Sequence, residues 1–410
     1  MANNNDGQTG LISSLKDQLS TAGKTLSGLF TVNSGVTQLI SETKKSISEL
    51  KEVNTLLTKI SITNDKLSKA DLERIGGNSI DIASKYGKKS TDYLSGVREA
   101  YSLGYDNAED IAELSLAIQC AGDMTSELAN QYINATDKAY EFGGSASKLQ
   151  EVLDGCNYIA DHNKINMTEL AQAMTIAGSQ AASLGIEAGE TIAALGTMIT
   201  ATQQSGSETA NAFKAILLNI RHITDAEAGI NAEGLARYAN ACKDLNVSLN
   251  ETKNGITSLR DPMEVIKELA DEYSKLDSGD VRRTNLLDSV GSGVNADALN
   301  AILENYDMYE NMLKEYAAGA GSMAKEAEIL ANSWEGSMNR LSNSWTDTIG
   351  NIAESDVVIA AVNGLNALLS VINNVTDKLG SLGTIGVGAG IFGIFKNVDY
   401  LKTPVCPHYI

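Results

Sequence analysis

The sequence predicts an all-α fold: an elongated multi-helix bundle led by a coiled-coil-like N-terminal helix, with room for one small β-hairpin. Three observations predict it. Proline occurs only at Pro262, Pro404 and Pro407 of 410 residues, so the first 261 contain no obligate helix breaker. Aromatic residues make up 5% of the chain, little ring area for a single dense core, whereas Ala and Ser suit thin, closely stacked helices. Apolar residues also recur at three- and four-residue steps between recognisable caps.

From about 34 to 70, Val36, Leu39, Leu50, Val53, Leu57, Ile60 and Leu67 fall on heptad-like steps, with Thr43, Ser46 and Asn64 as polar seam positions. That pattern fits a self-associating coiled coil and equally an amphipathic helix packed on its own chain. Residues 91–225 are the most regular region. Asn166 caps a helix with Glu169 reaching back from N3, and Leu170, Met174, Ala177, Ala181 and Leu184 form one stripe ending at Gly185. A second helix carries Ala188, Ile192, Leu195 and Ile199 and stops near Gly206. Ser205 with Glu208 makes another capping box, opening a third helix that buries Phe213, Leu217 and Ile220.

Gly178, Gly189 and Gly196 lie inside these helices, where each costs roughly 1 kcal/mol against Ala. Such a cost implies that a neighbouring backbone comes very near. Farther on, two extended apolar pieces flank Asn254-Gly255 in NVSLNETKNGITSLRDP, the signature of a hairpin. Asp261, Pro262 and Glu264 then supply N-cap, N1 and N3 of a helix. Further helices are expected at 295–317 and 323–353, the last with Trp334, Met338, Leu341, Trp345, Ile349 and Ile352 as a core stripe.

Beyond Asp356 charge nearly vanishes. Leu379 to Phe395 is a 17-residue Gly-rich apolar run with Gly386 and Gly390 as a GxxxG pair, at the short edge of what spans a bilayer. Buried packing explains the run as well. The tail DYLKTPVCPHYI differs again and reads as unstructured. These shifts divide the chain into residues 1–90 (helical, coiled-coil-like), 91–225 (Ala/Gly-rich helical core), 226–320 (second helical part with the hairpin), 321–398 (C-terminal helices with the apolar segment) and 399–410.

The formal net charge of -20, from 52 acidic and 32 basic residues, disfavours specific nucleic-acid binding. Cys120, Cys156, Cys242 and Cys406 form no CxxC pair, so neither a disulfide framework nor a zinc ribbon is implied. The first residues show no basic segment followed by an apolar run, so Sec export is not expected. GAGIFG at 388–393 matches GxGxxG without a β-rich unit around it. AGKT at 22–25 and GKKS at 87–90 lack the first glycine of a phosphate loop, with Gln18 and Ile82 in its place. His162, His222 and His408 make no local metal set, and Cys156, Asp161 and His162 are better explained as a helix end than as a nucleophile site. No catalytic, cofactor-binding or metal residue is assigned, no cofactor is expected, and the chain is read as a non-enzyme.

The order of segments resembles the conserved core of phage tail tape measure proteins of the TP901 type. The resemblance runs from YLSGVREAYSLGYDNAEDIAELSLAIQCAGDMTSELANQYINATDKAY, through LAQAMTIAGSQAASLGIEAGETIAALGTMITATQQSGSETANAFKAILLNI, to LRDPMEVIKELADEY, LLDSVGSGVNADALNAILEN and WEGSMNRLSNSWTDTIGNI, and then LGSLGTIGVGAGIFGIFKNV. It covers roughly residues 90–398. The resemblance implies a virion structural protein, made in the host cytoplasm and held in the lumen of the tail tube, whose length sets tail length during assembly. Implied partners are the tail tube protein, tail assembly chaperones, tail-tip and distal tail proteins, and further copies of the chain. It also implies release at infection, with host membrane contact through residues 357–395. A secreted or injected membrane-active protein folding 357–395 as an apolar hairpin is the alternative. Relatives of this type usually continue well past this point, some into peptidoglycan-hydrolase domains. Fully helical, 410 residues reach only about 600 Å at roughly 1.5 Å per residue, so a truncated or partial tape measure, or a prophage remnant, is implied.

Overall fold

The computed structural model describes residues 32–223, 225, 230–253, 256–291 and 293–353. Among them the chain is all-α, sixteen helices and one two-stranded sheet. Contacts divide it into two units, Leu57–Ser337 and a second made of Met1–Leu56 with Met338–Ile410.

The helices run α1 (Val32–Thr63), α2 (Lys69–Lys85), α3 (Ser90–Ser102), α4 (Ala108–Ala121), α5 (Ser126–Ala139), α6 (Ala146–Asn163), α7 (Met167–Ser183), α8 (Ala188–Thr202), α9 (Gly206–Ile220) and α10 (Ala232–Asp244). The hairpin follows as β1 (Asn250–Lys253) and β2 (Ile256–Leu259), antiparallel, with Asn250 opposite Leu259 and Lys253 opposite Ile256. The Asn254-Gly255 turn itself lies outside the described residues. Then come α11 (Pro262–Tyr273), α12 (Val281–Ser289), α13 (Val294–Glu304), α14 (Tyr306–Ala318), α15 (Ser322–Ala331) and α16 (Trp334–Ala353).

Caps set many of these boundaries. Ser205 and Glu208 bond reciprocally at the start of α9, and Asp261 accepts from the N–H groups of Met263 and Glu264 with Pro262 at the first helical position. Asn166 accepts from the Thr168 N–H at 2.8 Å, as its position predicts. Glu169, however, does not reach back to Asn166. Its carboxylate accepts the backbone N–H of Gly206, at the first turn of α9, so the expected capping box becomes a tie between two helices. The geometry allows it because Gly206 has no side chain: a Cβ there would overlap the Glu169 carbonyl.

Within the Leu57–Ser337 unit, α8 is the centre. Every residue from Thr191 to Ile199 is buried, and α6, α7, α9, α13 and α14 all pack on it. A helix enclosed on all sides has no solvated face on which to put charge, and small side chains bring its neighbours close. TIAALGTMI, residues 191–199, meets both demands, and the one charge of the helix, Glu190, lies just before it and is half-buried. Around it α9 packs on α7, α5 on α7, and α3 on α4, burying the expected stripes on α7 and α9 along with Ala171, Ala173, Ala212 and Ile216.

In the second unit, Glu49 of α1 accepts from the hydroxyls of Ser342 and Thr346 on α16, the latter at 2.7 Å. At this turn α1 meets α16 through Glu49, which is not one of the expected seam positions. α16 departs from expectation. Met338 and Leu341, placed in a core stripe by periodicity, are 43% and 44% exposed, while Asn343 and Thr346 are buried. The ties to Glu49 turn the side of α16 that carries Ser342 and Thr346 inward, with Met338 and Leu341 on an exposed side; the side chains of Trp334, Trp345, Ile349 and Ile352 lie outside the described residues.

Candidate functional site

The internal glycines identify the most specialised surface of the Leu57–Ser337 unit. α6 and α8 form the walls of a groove that receives α14. The Tyr316 ring stands between Gly155 of α6 and Gly189 of α8: a Cβ on Gly189 would lie 2.7 Å from Tyr316 Cδ1, and one on Gly155 would overlap the other edge of the ring. One turn back along α14, Met312 meets Gly196, where an added Cβ would come within 3.0 Å of its sulfur. Glycine inside these helices is therefore needed for close approach, though to a ring and a thioether rather than to the neighbouring backbone expected from sequence. Gly178 has no such neighbour, since its closest contact is Met174 one turn away at 3.5 Å.

Polar groups on α6 hold the turn from α14 into α15. The buried Asp154 carboxylate accepts from the Gly321 and Met323 N–H groups, both at 3.0 Å. It thereby caps α15 from another helix, with its negative charge at the positive end of the α15 dipole. Asn157, also buried, donates to Ser322 Oγ at 2.6 Å, and Asn163 donates to the Glu315 carboxylate at 2.6 Å. Gly319 closes the elbow, because a Cβ there would sit 2.7 Å from Gly155 Cα. Beside the groove the Tyr140 hydroxyl donates to Thr191 at 2.9 Å, and burial pushes that phenol up to about 12. Burial likewise raises Tyr316 above the ordinary phenol range.

This arrangement seats a helical elbow; it does not activate a nucleophile. Cys156 points into the core, where burial pushes its thiol up to about 12, leaving almost no thiolate near neutral pH. His162 lies six residues on, so the two side chains leave α6 about 120° apart. Its ring stacks on Tyr158 at 3.8 Å, with Nδ1 2.8 Å from the Tyr158 carbonyl. Cys120 and Cys242 are buried as well, and burial raises both thiols. Among the described residues no group of three or more His, Cys, Asp or Glu is placed to hold a metal.

A separate cleft of about 550 Å³ lies between the loop at Leu103–Asn107 and the loop at Gly143–Ser145. Two of its polar side chains are engaged: Asp137 accepts from the Gly144 N–H at 2.7 Å and Asn107 donates to the Gly144 carbonyl at 2.9 Å. Gly143 and Gly144, at φ +63° and +77°, supply the backbone conformation this loop requires.

Sequence reasoning missed Gly155, Asp154, Asn157 and Tyr316. The one local signal was a glycine beside an acid inside a helical pattern, LDGCNY. The apolar stretch 357–395, the GAGIFG and AGKT texts, Cys406, His408 and the tail 399–410 lie outside the described residues. No described helix is long and apolar enough to cross a membrane.

A family model described as "Phage-related minor tail protein" matches residues 79–291, just over half of the chain. The match includes both groove walls and ends before the elbow they hold. No solved structure matches.

Proposed function

The chain belongs to the phage-related minor tail protein family, and from that premise we propose that it is the helical core of a TP901-type tail tape measure. On this reading it acts inside the tail tube during assembly, in contact with the tube protein, the assembly chaperones and the distal tail proteins, and it takes part in setting tail length. It works by helix packing and binding, not by transforming a substrate, and leaves the tube when the genome is ejected. The observation that carries the reading is the family match over residues 79–291, joined to a segment order that continues the resemblance past its C-terminal end. Physical support comes from the glycines of α8: Gly189 and Gly196 let α14 lie close against it, which narrows the helix stack as a confined lumen requires. The acidic excess of the chain also keeps it from trapping DNA that passes the same space.

The test is genetic. Duplicating in frame the α1 stretch, 32 residues, in the phage that carries the gene should lengthen tails by about 50 Å if each added residue contributes a helical rise. A deletion of equal size should shorten them by the same amount. Tails of unchanged length in both strains, seen by electron microscopy, defeat the ruler role while leaving the family assignment intact.

A further inference from the structure

The 550 Å³ cleft between the Leu103–Asn107 and Gly143–Ser145 loops holds polar groups that the fold itself leaves unused. Asn134 and Asp137, three residues apart on one face of α5, line it together with Tyr105 from the loop before α4. Its wall is fixed in place, because Asp137 and Asn107 hold the two backbone groups of Gly144, and a Cβ on Gly144 would come within 3.1 Å of the Tyr105 ring. Tyr105 is 8% exposed and Asp137 9%. The Tyr105 hydroxyl and the Asn134 side-chain oxygen are buried without a hydrogen-bond partner, a state that costs about 1–3 kcal/mol for each group. Asp137 gives one oxygen to the Gly144 N–H, which leaves a carboxylate most of its accepting capacity.

We propose that this cleft binds a primary ammonium group on an alkyl stem, supplied by a lysine side chain of a partner protein or by a free polyamine. An ammonium brings three N–H donors and one positive charge. Asp137, Asn134 and Tyr105 offer it three acceptors, one of them charged, and bonds of this kind are about twice as strong as neutral ones.

Burial first, and then the charge of Asp137, raise the Tyr105 phenol above its ordinary range, so it stays protonated. A neutral hydroxyl that turns its proton toward Asp137 leaves its lone pairs to an incoming donor. The other charges lining the cleft are Asp106 and Lys138, both exposed, so the carboxylates outnumber the one amine and the balance favours a cation. Leu103, 38% exposed at the rim, gives the alkyl stem an apolar surface to lie on. Two carboxylates are few for a divalent metal, which takes six or more oxygen ligands when it is calcium.

Amide NMR of the full chain tests the site, with Nα-acetyl-lysine methylamide and spermidine as the probes. Both should shift the Gly143, Gly144 and Ser145 amides saturably, and the tighter of the two identifies the source, protein or free polyamine. Nα-acetyl-norleucine methylamide, which has the stem without the charge, should leave those amides in place. Tyr105→Phe and Asn134→Leu nearly preserve side-chain size while removing one acceptor each, and each should weaken binding roughly tenfold. Asp137→Asn keeps an oxygen for the Gly144 N–H but removes the charge, and should abolish binding. No saturable shift with either amine, an equal response to the norleucine derivative, unchanged affinity in all three variants, or calcium moving the same amides at lower concentration than the amines would each overturn the proposal.

Discussion

Replacing Gly155 with Ala puts two opposing effects on one residue, and the structure decides which wins. In a helix interior Ala is favoured over Gly by about 1 kcal/mol, so propensity alone predicts a more stable protein. At Gly155, though, the new methyl meets the Tyr316 ring, which cannot retreat because Gly189 of α8 stands against its other edge. Forcing an extra carbon into such a site costs about 3 kcal/mol, the upper end of the range for overpacking. The net expectation is a loss of about 2 kcal/mol, read by urea denaturation of the full chain, with a drop in melting temperature of about 5 °C for a unit of this size. Two comparisons isolate the cause. Gly77→Ala in α2, where an added Cβ meets nothing within 4 Å, should stabilise by up to about 1 kcal/mol. In a Tyr316→Ala background, which opens the slot, Gly155→Ala should change sign and stabilise. Stabilisation by Gly155→Ala in the unmodified chain, or the same loss with and without the Tyr316 ring, would refute the slot.

Asp154→Ala removes the acceptor of two helix-terminal N–H groups and should cost about 2–3 kcal/mol; exchange should accelerate first at the Gly321 and Met323 amides, and uniform acceleration across the unit would contradict a capping role. Cys156, raised to about 12 by burial, should resist iodoacetamide at pH 8 in the native chain and react on unfolding; peptide mapping that finds it labelled at the rate of an exposed thiol would place it outside the core. A chain ending at residue 291, where the family match stops, loses the helices that pack on α6, α8 and α9, and should expose apolar surface and aggregate. One ending at 337 should stay monodisperse in light scattering. Equal behaviour of the two would show that the matched segment folds without the elbow.

Sequence pattern reached as far as local rules reach. The caps at Ser205, Asn166 and Asp261, the hairpin either side of residue 254 and the stripes on α7, α8 and α9 all depend on residues a few positions apart, and the structure has them where those rules put them. What escaped depends on partners far along the chain. Asp154 meets α15 at separations of 167 and 169 residues, and nothing near it in sequence announces a helix N-terminus. Glu169 chose Gly206 over its own cap for the same reason, since a tertiary neighbour outcompeted a local one. On α16 periodicity put Met338 and Leu341 in the core, but it could not say which face would be covered there, and the hydroxyls that bond Glu49 decided it. The glycines were the most informative long-range signal. Their cost within helices announced close contact at Gly189 and Gly196, while the identity of the contacting side chains, Tyr316 and Met312, could be found only in three dimensions.

The most direct test of the account is quantitative mass spectrometry of tails purified from the phage or prophage that carries this gene. It should recover peptides spanning residues 79–291 from intact particles, in several copies per tail, and lose them from particles that have ejected their DNA. Tails assembled and infectious without this gene product would contradict it.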